Sequence, residues 1–268
     1  MSTGKPVLQI EDLGKVYEDD YTEEIVTAID RLSFSVDDGE FVSILGPSGC
    51  GKTTVLNIIA GFLPPTSGIV LLNGRPIDGP GPDRGVVFQS FALFPWRTVL
   101  QNVTFGLKMR GVPKSQREAT AREYLELVGL EVFENRYPHE LSGGMRQRVG
   151  VARVLANEPA VMLMDEPSAS VDAQTRMSLQ QDLTRIWERR RPTIFFVTHD
   201  VEEAVFLSNR IIVLTPRPSR VREIVKVGIP RPRKWDTLIE DTSFRRLTHH
   251  IMSLLTGDAE SPSDAAVS

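Results

Sequence analysis

One stretch of the sequence combines glycines, a lysine and hydroxyl groups in a spacing that suits a bound anion. It reads GPSGCGKTT, and its members are Gly46, Pro47, Ser48, Gly49, Cys50, Gly51, Lys52, Thr53 and Thr54. The apolar run 41–45 before it is typical of a buried strand, and the apolar run 55–60 after it is typical of a buried helix. A strand, a glycine-rich loop and a helix in this order cradle phosphate groups with backbone N–H groups and the helix N-terminus. We expect Lys52 to reach the outer phosphates and the Thr53 hydroxyl to ligate Mg²⁺.

Polar side chains with catalytic potential follow three further apolar runs. Asp165 and Glu166 end one run, Gln89 ends a second and His199 follows a third. Strands that alternate with helices favour a mostly parallel sheet covered on both faces, and ligands of such sheets bind beyond the carboxyl ends of the strands. The sequence therefore predicts that these side chains surround one bound nucleotide.

The chemistry of each side chain allows a role in nucleotide hydrolysis. Asp165 suits Mg²⁺ held through water opposite Thr53, with Gln89 as a further candidate ligand. Glu166 would polarise the attacking water, and Gln89 and His199 would orient that water or contact the γ-phosphate. Taken singly, an Asp-Glu pair can be a turn, and a histidine or glutamine at a strand end can be structural. Only the joint pattern with the phosphate loop indicates an active site.

Composition limits the classes of protein that fit. The 268 residues include 31 basic and 35 acidic side chains, so the formal net charge is 31 − 35 = −4. The composition therefore lacks the basic surplus that would indicate nucleic-acid binding. The single cysteine, Cys50, allows no disulfide framework and fits a reducing cytosol. No apolar stretch approaches the ~20 residues that cross a bilayer, so any membrane role should be peripheral.

The order of patterns predicts one large domain, residues 1–256, with an insert. Alternating apolar residues in 7–17 and 25–36 predict an antiparallel β layer, and 90–157 is helical in pattern. We expect the β layer and nucleotide core at about 5–89 and 158–228, with the helical subdomain at about 90–157. A C-terminal extension should cover 229–256. The apolar-poor tail 257–268 should be disordered.

The stretch LSGGMRQR, residues 141–148, carries the resemblance to a known family. Its Ser142-Gly143-Gly144 segment suits a helix cap whose hydroxyl and exposed amides form a second anion site. LSGGMRQR resembles the signature sequence of ABC ATPases, which are P-loop NTPases with a RecA-like parallel-sheet core, an antiparallel β subdomain and an inserted helical subdomain. The resemblance implies ATP hydrolysis with Mg²⁺ by two chains paired head to tail, each signature closing over the γ-phosphate on the other chain.

The resemblance covers about residues 7–255 and assigns roles motif by motif. Matching positions are Tyr17 for adenine stacking, Gly46 to Thr53 for the Walker A loop, Gln89 for the Q-loop, Ser142, Gly143, Gly144 and Gln147 within the signature, Asp165 for Walker B, Glu166 for the catalytic carboxylate, Asp172 for the D-loop and His199 for the switch histidine. An aromatic such as Tyr17 at a strand end can equally be packing. The family usually shows SALD where this chain has ASVD, so the aspartate Asp172 is kept and we expect hydrolysis to survive.

Residues 88–103 and 197–220 resemble importer ATPases of the nitrate, sulfonate and taurine branch, although Thr215 and Ser219 replace the usual serine and glycine of the SPRPG ending. This implies separate permease subunits, a substrate-binding protein, a small anionic solute and a peripheral place on the cytoplasmic face of the cell membrane. The ATPase would pair with a second copy or a sister chain. Exporter, lipoprotein-release and soluble nucleic-acid or ribosome ATPases of the ABC type are alternatives, and LSGGMRQR argues against a P-loop kinase or GTPase.

Two surface segments carry further expectations. Apolar residues just beyond Gln89 are candidates for a groove that receives a permease helix, with helical-subdomain core as the alternative: Phe91, Leu93, Phe94, Pro95 and Trp96. The basic run 230–235 could lie near anionic lipid, and a solvated turn is the favoured interpretation.

Overall fold

The computed structural model of the chain describes residues 6–18, 25–90, 92–168 and 172–257. The strands are β1 (Pro6–Glu18), β2 (Ile25–Asp37), β3 (Phe41–Leu45), β4 (Ser67–Leu72), β5 (Arg75–Pro76), β6 (Arg84–Val87), β7 (Val161–Asp165), β8 (Ile194–Val197), β9 (Arg210–Leu214) and β10 (Val221–Lys226). The helices are α1 (Lys52–Ala60), α2 (Val99–Val103), α3 (Phe105–Met109), α4 (Lys114–Leu127), α5 (Gly143–Leu155), α6 (Ala173–Arg190), α7 (Val201–Leu207), α8 (Trp235–Leu238) and α9 (Thr242–Thr256).

Two sheets organise the described part of the chain. The larger has the order β10-β9-β3-β8-β7-β6 and is parallel except for β10, which pairs antiparallel with β9. The smaller has the order β2-β1-β4-β5 and is antiparallel. The predicted α/β fold with a parallel core and an antiparallel β layer is confirmed.

The parallel strands are apolar in unbroken runs because both of their faces are buried. Phe195 points toward the smaller sheet and stacks on Phe34 with ring centroids 5.7 Å apart. The next residue, Phe196, points to the opposite face and packs on Phe41 in the core that the helices cover. A strand that is buried on both faces cannot alternate apolar and polar residues, which explains its continuous hydrophobic pattern.

Helix α1 lies between the two sheets. Its apolar residues Val55, Leu56, Ile58 and Ile59 join the core that contains β1, β2 and the adjacent face of the larger sheet. The segment 92–157 carries α2 to α5, whose inner faces join the core on the opposite side. The phosphate loop is thereby held at the carboxyl end of β3, between two packed layers.

The structure corrects the interpretation of the basic run 230–235, because Arg233 neither faces lipid nor lies in a solvated turn. Its guanidinium is buried and donates to the carbonyl oxygens of Val205, Phe206 and Ser208 at 2.8–2.9 Å. The last carbonyls of a helix have no intrahelical donor, so this arginine satisfies the C-terminal end of α7. Burial lowers the pKa of Arg233 to about 10. The predicted disordered tail lies, beyond Gly257, outside the described residues.

Candidate functional site

The phosphate loop connects the end of β3 to the start of α1. Gly49 and Gly51 have φ values of 75° and 104°, a region that side chains other than glycine rarely adopt. Gly46 is needed for a different reason: a Cβ on this residue would lie 2.6 Å from Cys50 Sγ and 3.1 Å from Leu214 Cβ. The sequence therefore folds into a tight loop whose backbone amides lie close to any ligand at the N-terminus of α1.

Lys52 is the cation at the centre of the loop. Its side chain is buried, and Nζ donates to the carbonyl oxygens of Gly46 at 2.8 Å and Pro47 at 3.1 Å. A buried ammonium needs such partners because desolvation disfavours its charge. The loop therefore holds the ammonium at the position where a bound phosphate would attract it.

A polar cavity of about 590 Å³ opens beside the loop. Its lining residues are Ser48, Gly49, Gly51, Lys52, Thr53, Thr54, Glu166, His199 and Arg217. The structure thus brings together six members of the predicted phosphate loop with two predicted catalytic residues. Arg217 is an addition that the sequence did not single out as a site residue.

Thr53 and Asp165 form the part of this site that suits a metal ion. Thr53 Oγ1 lies 3.3 Å from Asp165 Oδ1, so a hydroxyl and a carboxylate oxygen stand side by side. Burial raises the pKa of the Asp165 carboxyl, and the hydrogen bond from Thr53 opposes that rise. Within the described ranges, three or more His, Cys, Asp or Glu side chains nowhere gather as metal ligands. One hydroxyl and one carboxylate fit Mg²⁺, which completes its octahedron with water and phosphate oxygens.

Glu166 and His199 meet across neighbouring strands. Asp165 on β7 is in register with Val197 on β8, and the Glu166 N–H donates to the Val197 carbonyl at 3.0 Å. This pairing places Glu166 Oε2 3.1 Å from His199 Nδ1. The His199 side chain is 64% exposed and that of Glu166 is 27% exposed, so both can reach water in the cavity. A carboxylate and an imidazole in this geometry can share or orient a proton of a water molecule.

A buried carboxylate, Glu203 on α7, connects the segments that flank this pair. Its oxygens accept hydrogen bonds from Ser168 Oγ at 2.5 Å, Thr198 Oγ1 at 2.5 Å and Gln180 Nε2 at 3.0 Å. Ser168 follows Glu166 by two residues, and Thr198 directly precedes His199. Glu203 also lies in the first turn of α7, which Asp200 caps by accepting from the Glu203 N–H at 3.0 Å.

Two predicted residues stand at the margin of the site. The Tyr17 ring is 41% exposed, and its hydroxyl lies 3.4 Å from Thr54 Oγ1, so the ring lies beside the phosphate loop. Gln89 is exposed, two residues beyond the end of β6, and does not line the cavity. The structure therefore brings Tyr17 to the loop but leaves Gln89 outside the cavity.

The signature segment forms a second helix start. The Ser142 side chain caps α5 by accepting from the Met145 N–H at 3.3 Å, and Gly143 and Gly144 form the first turn. Ser142 is exposed, and none of the residues 142–147 lines the phosphate-loop cavity. This helix start is therefore not part of the phosphate-loop cavity of its own chain.

Gln147 and Asp172 both make contacts within their own chain. Gln147 is fully buried, and its Nε2 donates to the Pro167 carbonyl. Its side chain connects α5 to the segment after Glu166, and its predicted contact with nucleotide stays a prediction. The Asp172 carboxylate caps α6 through the backbone N–H and hydroxyl of Thr175 at 2.9 and 2.7 Å, and these hydrogen bonds lower the Asp172 pKa. Ala169, Ser170 and Val171 lie outside the described residues.

Comparisons with known proteins agree with this geometry. A family model described as ABC transporter matches residues 29–169. An uncharacterized ABC transporter ATP-binding protein of Methanocaldococcus jannaschii is 52% identical over 92% of this chain and 92% of its own length. The taurine import ATP-binding protein of Rhizobium johnstonii is 52% identical over 73% of this chain and 75% of its own length.

A nitrate import ATP-binding protein of Synechocystis is 43% identical over 97% of this chain and 99% of its own length. Among solved structures, a dimeric bacterial ABC transporter cassette matches with a TM-score of 0.72 at 35% identity, covering 83% of this chain and 100% of that chain.

Proposed function

We propose that this chain, which belongs to the ABC transporter family as an ATP-binding subunit, hydrolyses ATP as a head-to-tail dimer and drives a membrane importer. The partner in the dimer is a second copy or a sister ATPase. The solute is a small anion of the nitrate, sulfonate or taurine class. The taurine and nitrate import ATP-binding proteins that resemble this chain support this class of solute.

One observation carries the dimer. The chain has two helix starts built for anions, the phosphate loop at α1 and Ser142 at α5, and only the first lines the nucleotide cavity. A head-to-tail pair would place the exposed Ser142 start of one chain over the phosphate loop of the other. The match to a dimeric cassette supports the pairing of two chains. Such a dimer would close on ATP and open after hydrolysis.

The geometry supports a separate role in ATP hydrolysis for each side chain of the site. Lys52 would bind the outer phosphates, Glu166 would polarise the attacking water, and His199, 3.1 Å from Glu166, would orient that water against the γ-phosphate. Thr53 and Asp165 would hold Mg²⁺, with Gln89 as a further candidate once the dimer closes. Bound there, Mg²⁺ would neutralise charge on the phosphate oxygens. Tyr17 would stack on adenine, since its ring already lies beside Thr54.

A separate permease is the second part of the proposal. Among the described residues, no helix is both long and apolar enough to cross a bilayer. We place the chain on the cytoplasmic face of the membrane, where it would work with integral permease subunits and a substrate-binding protein. The family and the importer relatives support these partners.

An aromatic surface in the helical segment is the candidate permease contact. Phe94 packs on Phe105 with centroids 4.6 Å apart and on Trp96 at 5.8 Å, and Trp96 is 71% exposed. Phe94, Phe105 and Met109 line a cleft of about 530 Å³. Such an apolar cleft suits the hydrophobic face of a short helix. Leu93 is partly buried against the core, in agreement with the alternative that it belongs to the core of the helical subdomain. Phe91 lies outside the described residues.

The ATPase role is tested with Glu166→Gln. This variant should bind ATP normally, hydrolyse it at least 100-fold more slowly and form a stable dimer, because it keeps the phosphate contacts and loses the base. Size-exclusion chromatography with light scattering, with ATP or ADP present, measures the dimer. Glu202→Gln, an exposed glutamate on α7, is the matched control and should hydrolyse at the parent rate. A Glu166→Gln variant that stays monomeric with saturating ATP, or keeps parental turnover, contradicts the assigned role.

The permease contact is tested with Trp96→Ala. In membranes that contain the permease, this variant should be recovered at a level reduced several-fold while its own nucleotide affinity is unchanged. Ile239→Ala is the control, because this side chain is also large, apolar and 56% exposed but lies near α8. Equal recovery of both variants would refute the assignment of the aromatic surface.

A further inference from the structure

Arg217 places a second cation on the phosphate loop. Its Nη2 donates to the Gly49 carbonyl at 2.7 Å. It also lines the cavity that Lys52, Thr53, Glu166 and His199 share. The residue lies in the turn between β9 and β10, at the same edge of the sheet as the end of β3, because β3 and β9 are parallel neighbours. The turn therefore projects toward the loop from the side opposite β8.

The turn that carries Arg217 is anchored to β2 through the residues that follow Arg217. The Ser219 N–H and hydroxyl each donate to the Ala28 carbonyl on β2 at 3.1 Å, and the Asp30 N–H returns a bond to the Ser219 carbonyl at 3.0 Å. The next residue, Arg220, pairs with the Asp30 carboxylate. Ser219 is fully buried. The backbone at Arg217 is thus held by its neighbours, and its exposed side chain does not need to support the fold.

The chemistry of the guanidinium suits a phosphate better than a carbonyl. A guanidinium presents several N–H donors in a planar fork, and a phosphate oxygen pair accepts two of them at once. Only one donor is used on Gly49. Lys52 is buried with its ammonium on two loop carbonyls, so Arg217 is the exposed cation among the cavity-lining residues. A polyphosphate entering the cavity meets this cation beside the loop amides.

We propose that Arg217 binds the polyphosphate of the nucleotide, as a contact in addition to those of the phosphate loop. This inference rests on the proposed ATP-binding function. It predicts that ATP affinity depends on the charge at position 217 and that part of the salt dependence of ATP binding comes from this side chain. Sequence reasoning used the stretch 215–220 only as a mark of the importer branch.

The test is the ATP affinity of Arg217→Gln, measured by isothermal titration calorimetry at several salt concentrations. Losing a charge-assisted contact at an exposed site should raise the Kd for ATP about tenfold and flatten its salt dependence. Arg217→Lys keeps the charge and should recover most of the affinity. Arg246→Gln removes an exposed arginine on α9, outside the cavity. It is the control and should stay within twofold of the parent chain.

The outcomes are separable. If the parent chain does not bind ATP, the proposed function itself fails. If it binds ATP but Arg217→Gln binds within twofold, the contact with phosphate is refuted. If Arg217→Gln weakens binding without changing the salt dependence, Arg217 only braces Gly49, and the inference is again overturned. Equal thermal unfolding midpoints of parent and variant verify that each sample is folded.

Discussion

The substitution Glu203→Gln probes the buried carboxylate that joins the segments flanking the catalytic pair. In the parent chain, Oε1 accepts from Ser168 and Gln180, and Oε2 accepts from Thr198. An amide replaces one acceptor oxygen with an N–H donor pair. The new amide nitrogen cannot face Gln180, because the Gln180 carbonyl oxygen already accepts from Trp235 Nε1 at 3.1 Å and its amide cannot turn over. The nitrogen must therefore face Thr198.

The Thr198 hydroxyl would then have to reverse. It donates to Glu203 and also accepts from the Asp200 N–H at 3.1 Å. When the hydroxyl faces the new amide N–H, it loses its charge-assisted hydrogen bond to the carboxylate. Its proton then has no acceptor on the side of residue 203. One effect reduces this loss of stability. Burial raises the pKa of Glu203 and so disfavours its carboxylate, and the neutral amide does not carry that cost. Hydrogen bonds to charged groups contribute about 1.5–3 kcal/mol each, so we expect a net loss of about 1–3 kcal/mol in unfolding free energy.

The assays are urea unfolding at pH 7 and steady-state ATP hydrolysis. Because Thr198 precedes His199 and Ser168 lies two residues after Glu166, kcat should fall several-fold while KM for ATP stays within twofold. Glu202→Gln, the exposed neighbour, should change neither quantity. If Glu203→Gln unfolds at the parental denaturant concentration and keeps the parental kcat, the carboxylate neither stabilises nor positions these segments.

Two further predictions concern the loop and the helical segment. Gly46→Ala should abolish measurable ATP binding in a calorimetric titration, because its Cβ would lie 2.6 Å from Cys50 Sγ and displace the loop. Gly79→Ala is the control, since its Cβ would meet nothing within 4 Å, and it should bind ATP as the parent chain does. Parental ATP affinity in both variants would contradict the steric argument. Burial raises the pKa of Tyr124 to about 12 from 10.0. The unfolded tyrosine therefore loses its proton first, so urea-measured stability should fall as pH rises from 10 to 12, and Tyr124→Phe should remove that part of the fall. Tyr137→Phe, on an exposed ring, should leave the fall unchanged, and an unaltered pH profile in Tyr124→Phe would contradict the assignment.

The edge that carries the site could be predicted from sequence because parallel strands share a direction. Once strands were assigned before Lys52, before Glu166 and before His199, their carboxyl ends had to lie at one edge. The structure places these residues around one cavity or directly beside it. The resemblance to ABC ATPases came from the signature at 141–148, and the family model that matches residues 29–169 confirms it.

Other features could not be predicted, because they depend on contacts between distant segments. Gln147 has the spacing of a surface residue in a motif, yet its side chain is buried on the carbonyl of Pro167, 20 residues away. Arg233 lies in a basic run that suggests solvent, yet α7 needs its donors. Arg217 reaches Gly49 across 168 residues of sequence. Local pattern carries no information on such pairings.

The central claim is that this ATPase energises a membrane importer, and its most direct test is purification of the tagged chain from native membranes with identification of the proteins that accompany it. The account predicts recovery of a permease with several membrane spans, together with a substrate-binding protein that binds a small anion. Recovery of ribosomes, of DNA or of no membrane protein would leave the nucleotide chemistry in place and contradict the assignment to import.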